Sequence, residues 1–205
     1  MQSATTSLLK AELPDDALTA WHTAEPKETG AFPDDRRSYS DFWRLSQKLI
    51  EYLPEKPARS ERQGRVAETI HRTTRDTRER FLRKHIESVY AQLTQNLYRF
   101  VRLETLVFAA ADAFPGLAPT QQQVAAEASL LQRDKDGLEI DQGILLAHIL
   151  GHERSGLHLC HAMLLPRAET EEHLATFRAE GTVDLGAVRL ERRGKAAHLL
   201  MRNPR

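Results

Sequence analysis

Between Ser60 and Phe114 the chain contains no proline, and apolar residues recur there at helical spacing. Val66, Ile70, Thr77, Phe81, His85, Val89, Leu93, Leu97, Phe100, Glu104 and Val107 trace one mostly apolar face. Ser60 followed by Gln63 matches a capping box, in which each side chain satisfies the other residue's backbone N–H, so a helix is expected to start there. The stretch must hold either one very long helix or two consecutive helices broken near "TTRDT". A helix of that length cannot bury its whole stripe in a small globule. It is therefore expected to project and to pack against another domain or a second copy, which makes a homo-oligomer through the long helix the expected assembly.

The rest of the chain arranges itself around that segment. Residues 1–39 hold Pro14, Pro26, Gly30 and Pro33 and read as a loose N-terminal arm, with room for a short helix at "DDALTAWH". A helix is expected from near Ser40, with Phe42, Leu45, Leu49, Ile50 and Leu53 on one face. After the long segment, "PGLAP" makes a turn and Thr120 caps a helix running to about Gln132. "IDQGILLAHIL" is an apolar helix, whereas the period of "LHLCHAMLLP" settles neither helix nor strand. "ETEEHLATFRAEG" is a helix, with acids in its first turn and Gly181 just past its end. From residue 182 the period shifts to two: Val188, Leu190 and Arg192 are answered by Ala197, Leu199 and Met201 across a turn on Gly194. The reading is a mainly α protein, with a helical domain over 40–181 and a β-hairpin within 182–205.

Charge and cysteine content narrow the partners. Lys plus Arg and Asp plus Glu both number 29, so no global charge favours nucleic acid or an anionic membrane. A single cysteine, Cys160, rules out an internal disulfide framework and points to a reducing compartment. The first residues lack a basic segment followed by a long apolar run, so the expected location is cytoplasmic.

Three groups of residues invite a functional reading. "HILGHERSGLHLCH" brings His148, His152, His158, Cys160 and His161 close in sequence, and His148 and His152 are spaced like two zinc ligands on a helix. The other ligands are crowded into four residues and no Glu follows His148, so the histidines are expected to cap helix ends and line a polar seam, with no metal site. Arg59, Arg62, Arg65, Arg72, Arg75, Arg78, Arg80 and Arg83 could track phosphates. Interleaved acids argue otherwise: Glu61 with Arg65, Arg72 with Asp76, Asp76 with Arg80, Arg75 with Glu79 and Glu79 with Arg83 are each four apart, the spacing of pairs on a solvated helix face. Cys160 sits among apolar neighbours and is expected to be a buried thiol, since nothing in the sequence orients a base toward it. No phosphate loop, dinucleotide fingerprint or nucleophile elbow occurs.

"VRLERRGKAAHLLMRNPR", at 188–205, resembles the first β-hairpin of the crotonase (enoyl-CoA hydratase/isomerase) superfamily. "LEIDQGILLAHILGHERSGLHLCHAMLLPRAET" followed by "LATFRAEGTVDLGAVRLERRG" is similar to the helical N-terminal extension of one branch, the (3,5-dihydroxyphenyl)acetyl-CoA dioxygenases. The resemblance implies the start of a truncated crotonase-type α/β fold after an elongated helical domain. It also implies an oxygenase that converts (3,5-dihydroxyphenyl)acetyl-CoA and O₂ to 3,5-dihydroxyphenylglyoxylate and CoA, on the way to dihydroxyphenylglycine and glycopeptide antibiotics, with no metal or organic cofactor. In that family two backbone N–H groups hold the thioester oxygen while the neighbouring carbon loses its proton. The residues that do this would lie downstream of residue 205. No catalytic residue is therefore assigned, Arg205 is the one candidate CoA contact, and the chain is expected to be inactive alone. The alternative is a helical interaction module without catalysis.

Overall fold

A computed structural model describes residues 2–167 and 169–202. The chain divides into two compact units, residues 1–163 and 164–205, so α-helical residues 169–180 group with the strands and not with the preceding helices. The expected boundary at 181/182 thus lies later than the observed division.

The first unit is built from α1 (Gln2–Glu12), α2 (Asp15–Thr23), α3 (Phe32–Glu51), α4 (Glu61–Leu93), α5 (Leu103–Ala113), α6 (Gln121–Ala128), α7 (Leu138–Gly151) and α8 (Glu153–Leu164). Its N-terminal part corrects the expectation of a loose arm. Leu9, Leu13, Leu18 and Trp21 are buried in the main core, and Trp21 Nε1 donates to Ser46 Oγ at 2.8 Å. Helix α3 starts eight residues before Ser40, because Pro33 occupies its first turn with Asp34 and Asp35. Proline is favoured there, where its missing N–H would have had no helical partner anyway, and acids are favoured by the helix dipole.

Helix α4 is a single rod of 33 residues, opened by the reciprocal Ser60–Gln63 capping box. It passes through "TTRDT" without a break. The hydroxyls of Thr73 and Thr74 donate to the carbonyls of Thr69 and Ile70 one turn back, at 2.9 and 2.7 Å, and Thr77 accepts from Trp43 Nε1 at 3.0 Å. Threonines that satisfy their hydroxyls within the helix need not interrupt it. The break falls instead at Gln95, Asn96 and Leu97, three consecutive left-handed residues with φ of 50°, 55° and 69°. Thr94 holds this corner, donating to Tyr90 O (2.7 Å) and accepting from Leu97 N (3.2 Å).

The expected projection of α4 does not occur. Val66, Ile70, Phe81, Leu82, Ile86, Val89, Tyr90 and Leu93 are all buried, and α1, α3, α5 and α7 pack along the helix. The stripe along α4 is covered by helices of the same unit, so a partner subunit is not required to bury it, whereas Phe100, further along the expected face, is exposed. Tyr39, Trp43 and Phe81 form the aromatic centre, with Trp43 and Phe81 edge to face at 5.5 Å.

Helix α6 opens on the expected Thr120 cap, with Gln123 completing the box, but it ends at Ala128. The undecided "LHLCHAMLLP" segment is helical, as α8, and buries Ser155, Gly156, Leu159 and Ala162 at three- and four-residue spacing.

In the second unit, α9 (Glu169–Glu180) ends before Gly181, whose φ of 72° suits only glycine comfortably. Strands β1 (Thr182–Asp184), β2 (Val188–Arg193) and β3 (Ala196–Met201) form an antiparallel sheet in that order. The β2–β3 register pairs Val188 with Met201, Leu190 with Leu199 and Arg192 with Ala197, as the alternation predicts, around a turn at Gly194. Strand β1 was not anticipated. Three residues are too few to display a period, yet Val183 pairs with Leu190 and is buried. One face of the sheet carries Val183, Val188, Leu190, Arg192, Ala197, Leu199 and Met201; the other carries Asp184, Arg189, Glu191, Arg193, His198 and Leu200.

Candidate functional site

The histidine segment lies around the junction of α7 and α8. Helix α7 ends at Gly151 and His152 is extended, so His148 and His152 are not on consecutive turns of one helix. The close turn needs glycine at 156, where a Cβ would lie 2.6 Å from Leu150 O. His152 Nδ1 pairs with Ser155 Oγ at 3.1 Å and accepts from Ser155 N at 3.5 Å, capping the start of α8. His148 is half-buried, and burial lowers its pKa against the opposing pull of Glu79.

His158 is the best-connected member. Its Nε2 donates to Leu97 O (3.0 Å), because a carbonyl only accepts, and its Nδ1 hydrogen-bonds with the Tyr90 hydroxyl at 2.9 Å. Phe100 stacks on the His158 ring at 4.8 Å and touches His161 at 5.0 Å. His158 thereby ties α8 to α4 and to the left-handed corner. Burial raises the Tyr90 hydroxyl to about 12, with nearby Cys160 adding to the effect. A cavity of about 150 Å³ adjoins this seam, lined in part by Glu87, Tyr90, Asn96, Arg154 and Ser155. That is below the usual size of a small-molecule pocket. Among the described residues no three His, Cys, Asp or Glu side chains converge so as to hold a metal ion. Cys160, expected to be buried, is exposed. The buried positions 155, 156, 159 and 162 leave residue 160 on the outer side of α8.

The arginine series reaches further than its spacing suggests. Of the expected pairs, Glu61–Arg65, at 2.6 Å, is the one that forms among the described residues. Arg75 Nε and Arg78 Nη1 converge on Asp141 of α7, at 2.8 and 2.9 Å, and Asp141 is almost wholly buried. Arg75 also donates to the carbonyls of Asp136 and Gly137, and Arg78 to that of Gly116. Arg59 forms a two-pronged pair with Asp136 at 2.7 and 3.1 Å. Burial lowers the pKa of neighbouring His71, with Asp136 opposing it. Glu127 accepts from the backbone N–H of Gly137 and Leu138, closing the start of α7. These groups clamp α4, α6 and α7 together.

A second buried constellation was not foreseen. Asp35, 0% exposed, accepts from Thr29 N and Thr29 Oγ1, both at 2.7 Å, from Gly30 N at 3.1 Å and from His85 Nε2 at 2.8 Å. Burial pushes its carboxyl up, but the hydrogen bonds from Thr29, His85 and Gly30 outweigh burial and hold it well below the usual carboxylate range. Rings of Phe32 and Phe81 flank His85. His85 was visible on the apolar face of the long helix; its meeting with Asp35 across fifty residues was not. Arg205, the candidate CoA contact, lies outside the described residues.

Asp35, Glu127, Asp141 and His158 thus bond to other side chains and to backbone groups of the helical unit. Helices organised in this way, followed by a small antiparallel sheet, define the class: a mainly α protein. No helix among the described residues is long and apolar enough to cross a membrane. Comparison with known proteins makes the assignment specific. Over 167 residues, 82% of this chain, it is 40% identical to (3,5-dihydroxyphenyl)acetyl-CoA 1,2-dioxygenase of Amycolatopsis orientalis. The chain is a relative of that dioxygenase, as the resemblance of its helical segments implied. The matched region spans 38% of the relative's length. No protein-family model matches the chain.

Proposed function

We propose that these residues form the N-terminal helical part, and the first strands, of a crotonase-type dioxygenase acting on (3,5-dihydroxyphenyl)acetyl-CoA. The reaction would consume the thioester and one O₂ and release 3,5-dihydroxyphenylglyoxylate and CoA, in a cytoplasmic route to dihydroxyphenylglycine. In this reading neither a metal nor an organic cofactor takes part, and the helices act as scaffold. The observation that carries it is the 40% identity to the Amycolatopsis orientalis dioxygenase over most of this chain. Two further points support it. The match reaches 38% of the relative, so most of the relative's sequence has no counterpart in these residues. Asp141 with Arg75 and Arg78, and Asp35 with His85, are also committed to holding helices together.

The test has two arms. The purified chain, given the aryl-acetyl-CoA thioester in air, should release no CoA above the blank. The same chain mixed with the complementary remainder of the Amycolatopsis relative should regain thioester-dependent O₂ uptake. Turnover by the chain alone would refute the scaffold role, and failure of the mixture with both parts folded would refute the assignment.

A further inference from the structure

We propose that the outer face of α4 and α7 is the contact between two copies of this chain, joined antiparallel about a two-fold axis level with Leu145. This goes beyond the catalytic reading and does not depend on it.

The outer side of α7 supplies the apolar part. The helix buries Asp141, Leu145 and Ile149 and turns Ile140, Gly143, Ala147 and Leu150 outward. Ile140 and Leu150 are each half exposed. A groove of about 370 Å³ runs along this face, where Glu79 of α4 meets Ile140, Gly143, Ile144, Ala147 and His148. Glycine inside a helix is less stable than alanine, yet nothing in the chain lies within 4 Å of the Cβ that alanine would add at 143. The chain's own packing gives no reason for that glycine; the close approach of another helix does. Small residues at 143 and 147, flanked by large ones at 140 and 150, suit two helices that touch at a crossing point and diverge on either side.

Charge identifies the occupant. Beside the groove α4 exposes Arg72, Asp76, Glu79, Arg83 and Glu87. Among the described residues only Glu87 of these forms an ion pair, with Arg154 at 3.4 Å and both about two-thirds exposed. The partners that four-residue spacing offers the others are not taken up. Antiparallel contact of a helix with its own copy opposes like charges unless the signs reverse across the centre. Here they reverse: Arg72 falls opposite Glu87, and Asp76 opposite Arg83, about a point between Glu79 and Arg80. Glu79, beside that point, lies between Arg83 of its own helix and Arg83 of the second copy.

The two helices agree on one axis. On α7 the pairs Ile140 with Leu150 and Gly143 with Ala147 are both centred on Leu145. Helices α4 and α7 run in the same direction, since Arg75 and Arg78 meet Asp141 while Glu87 meets Arg154 further on. Those contacts set Leu145 level with Glu79 and Arg80. A two-fold axis in the contact plane, perpendicular to both helices, therefore lays α7 on α7 and α4 on α4 with size and charge matched together.

Sedimentation velocity over a range of concentrations tests the proposal on the full chain. The chain should form a dimer, and Gly143→Leu should return it to a monomer with an unchanged helical circular-dichroism spectrum, because the new side chain enters space that is open in one copy. Asp76→Arg and Arg83→Asp should each weaken the dimer about tenfold, by opposing like charges at two symmetry-related places. Together in one chain they restore opposite signs and should regain the original affinity. The charge exchange decides the matter even where the glycine variant fails to fold. A monomer at every concentration overturns the inference, including the case in which the groove takes a helix of a different polypeptide. A dimer indifferent to these variants overturns it, and so does a double variant no stronger than the single ones. None of these readings involves CoA release, so they stand or fall apart from the proposed activity.

Discussion

Replacing Asp141 with alanine removes the carboxylate on which Arg75 and Arg78 converge. The side chains of Arg75, Arg78 and Asp141 are 21%, 13% and 4% exposed, so the loss strands two guanidinium groups largely out of water. Removing one partner of a buried ion pair costs about 3–5 kcal/mol. Arg75 keeps the carbonyls of Asp136 and Gly137 and Arg78 keeps that of Gly116, which moves the expectation to the low end, about 3 kcal/mol. For a unit of this size that corresponds to a fall in Tm of about 6–12 °C. Trp21 and Trp43, both buried in the helical unit, report its unfolding in urea by fluorescence. Asp41→Ala is the control, because the Arg44–Asp41 bridge is more than half exposed at both ends and surface bridges contribute about 0–1 kcal/mol. A loss for Asp141→Ala no larger than that for Asp41→Ala would refute the claim that this network holds α4 to α7.

Two further tests address other buried features. The depressed pKa of Asp35 adds stability that is fully present above the unfolded carboxylate value of about 3.9 and is lost as pH falls through the folded value; Asp35→Asn should lower stability at pH 7 and flatten its decline below about pH 4, and an unchanged slope in acid urea titrations would count against the pair with His85. Gly116 has φ +88°, and a Cβ there would lie 2.5 Å from Trp43 Cβ; Gly116→Ala should destabilise the helical unit by at least about 2 kcal/mol in the same fluorescence assay, from left-handed strain and overpacking together, and a neutral result would contradict the close approach of that turn to α3.

Local chemistry was legible wherever it acts within a few residues. The Ser60 and Thr120 caps, the Gly181 stop and the Gly194 turn with its register are readable because each depends on neighbours in sequence. Pro33 misled because proline ends a helix from inside but opens one from its first turn, and the residue type does not say which. Asp141, Asp35 and His158 were illegible as partners of Arg75, His85 and Tyr90. Hydrogen-bond reach across fifty or more residues is set by packing, not spacing. Cys160 shows the finest limit: one residue of helical phase separates the buried side of α8 from the exposed side.

Taken alone, the sequence determined that the chain is mostly helical, where a long uninterrupted helix begins, how the last two strands align, and which dioxygenase it resembles. Only the tertiary structure decided that the stripe along α4 is covered by the chain's own helices and that arginines spaced for surface pairs reach buried acids. The reason is physical. A period records which face of an element is apolar, since backbone geometry sets it residue by residue, whereas what covers that face depends on elements brought together only by folding.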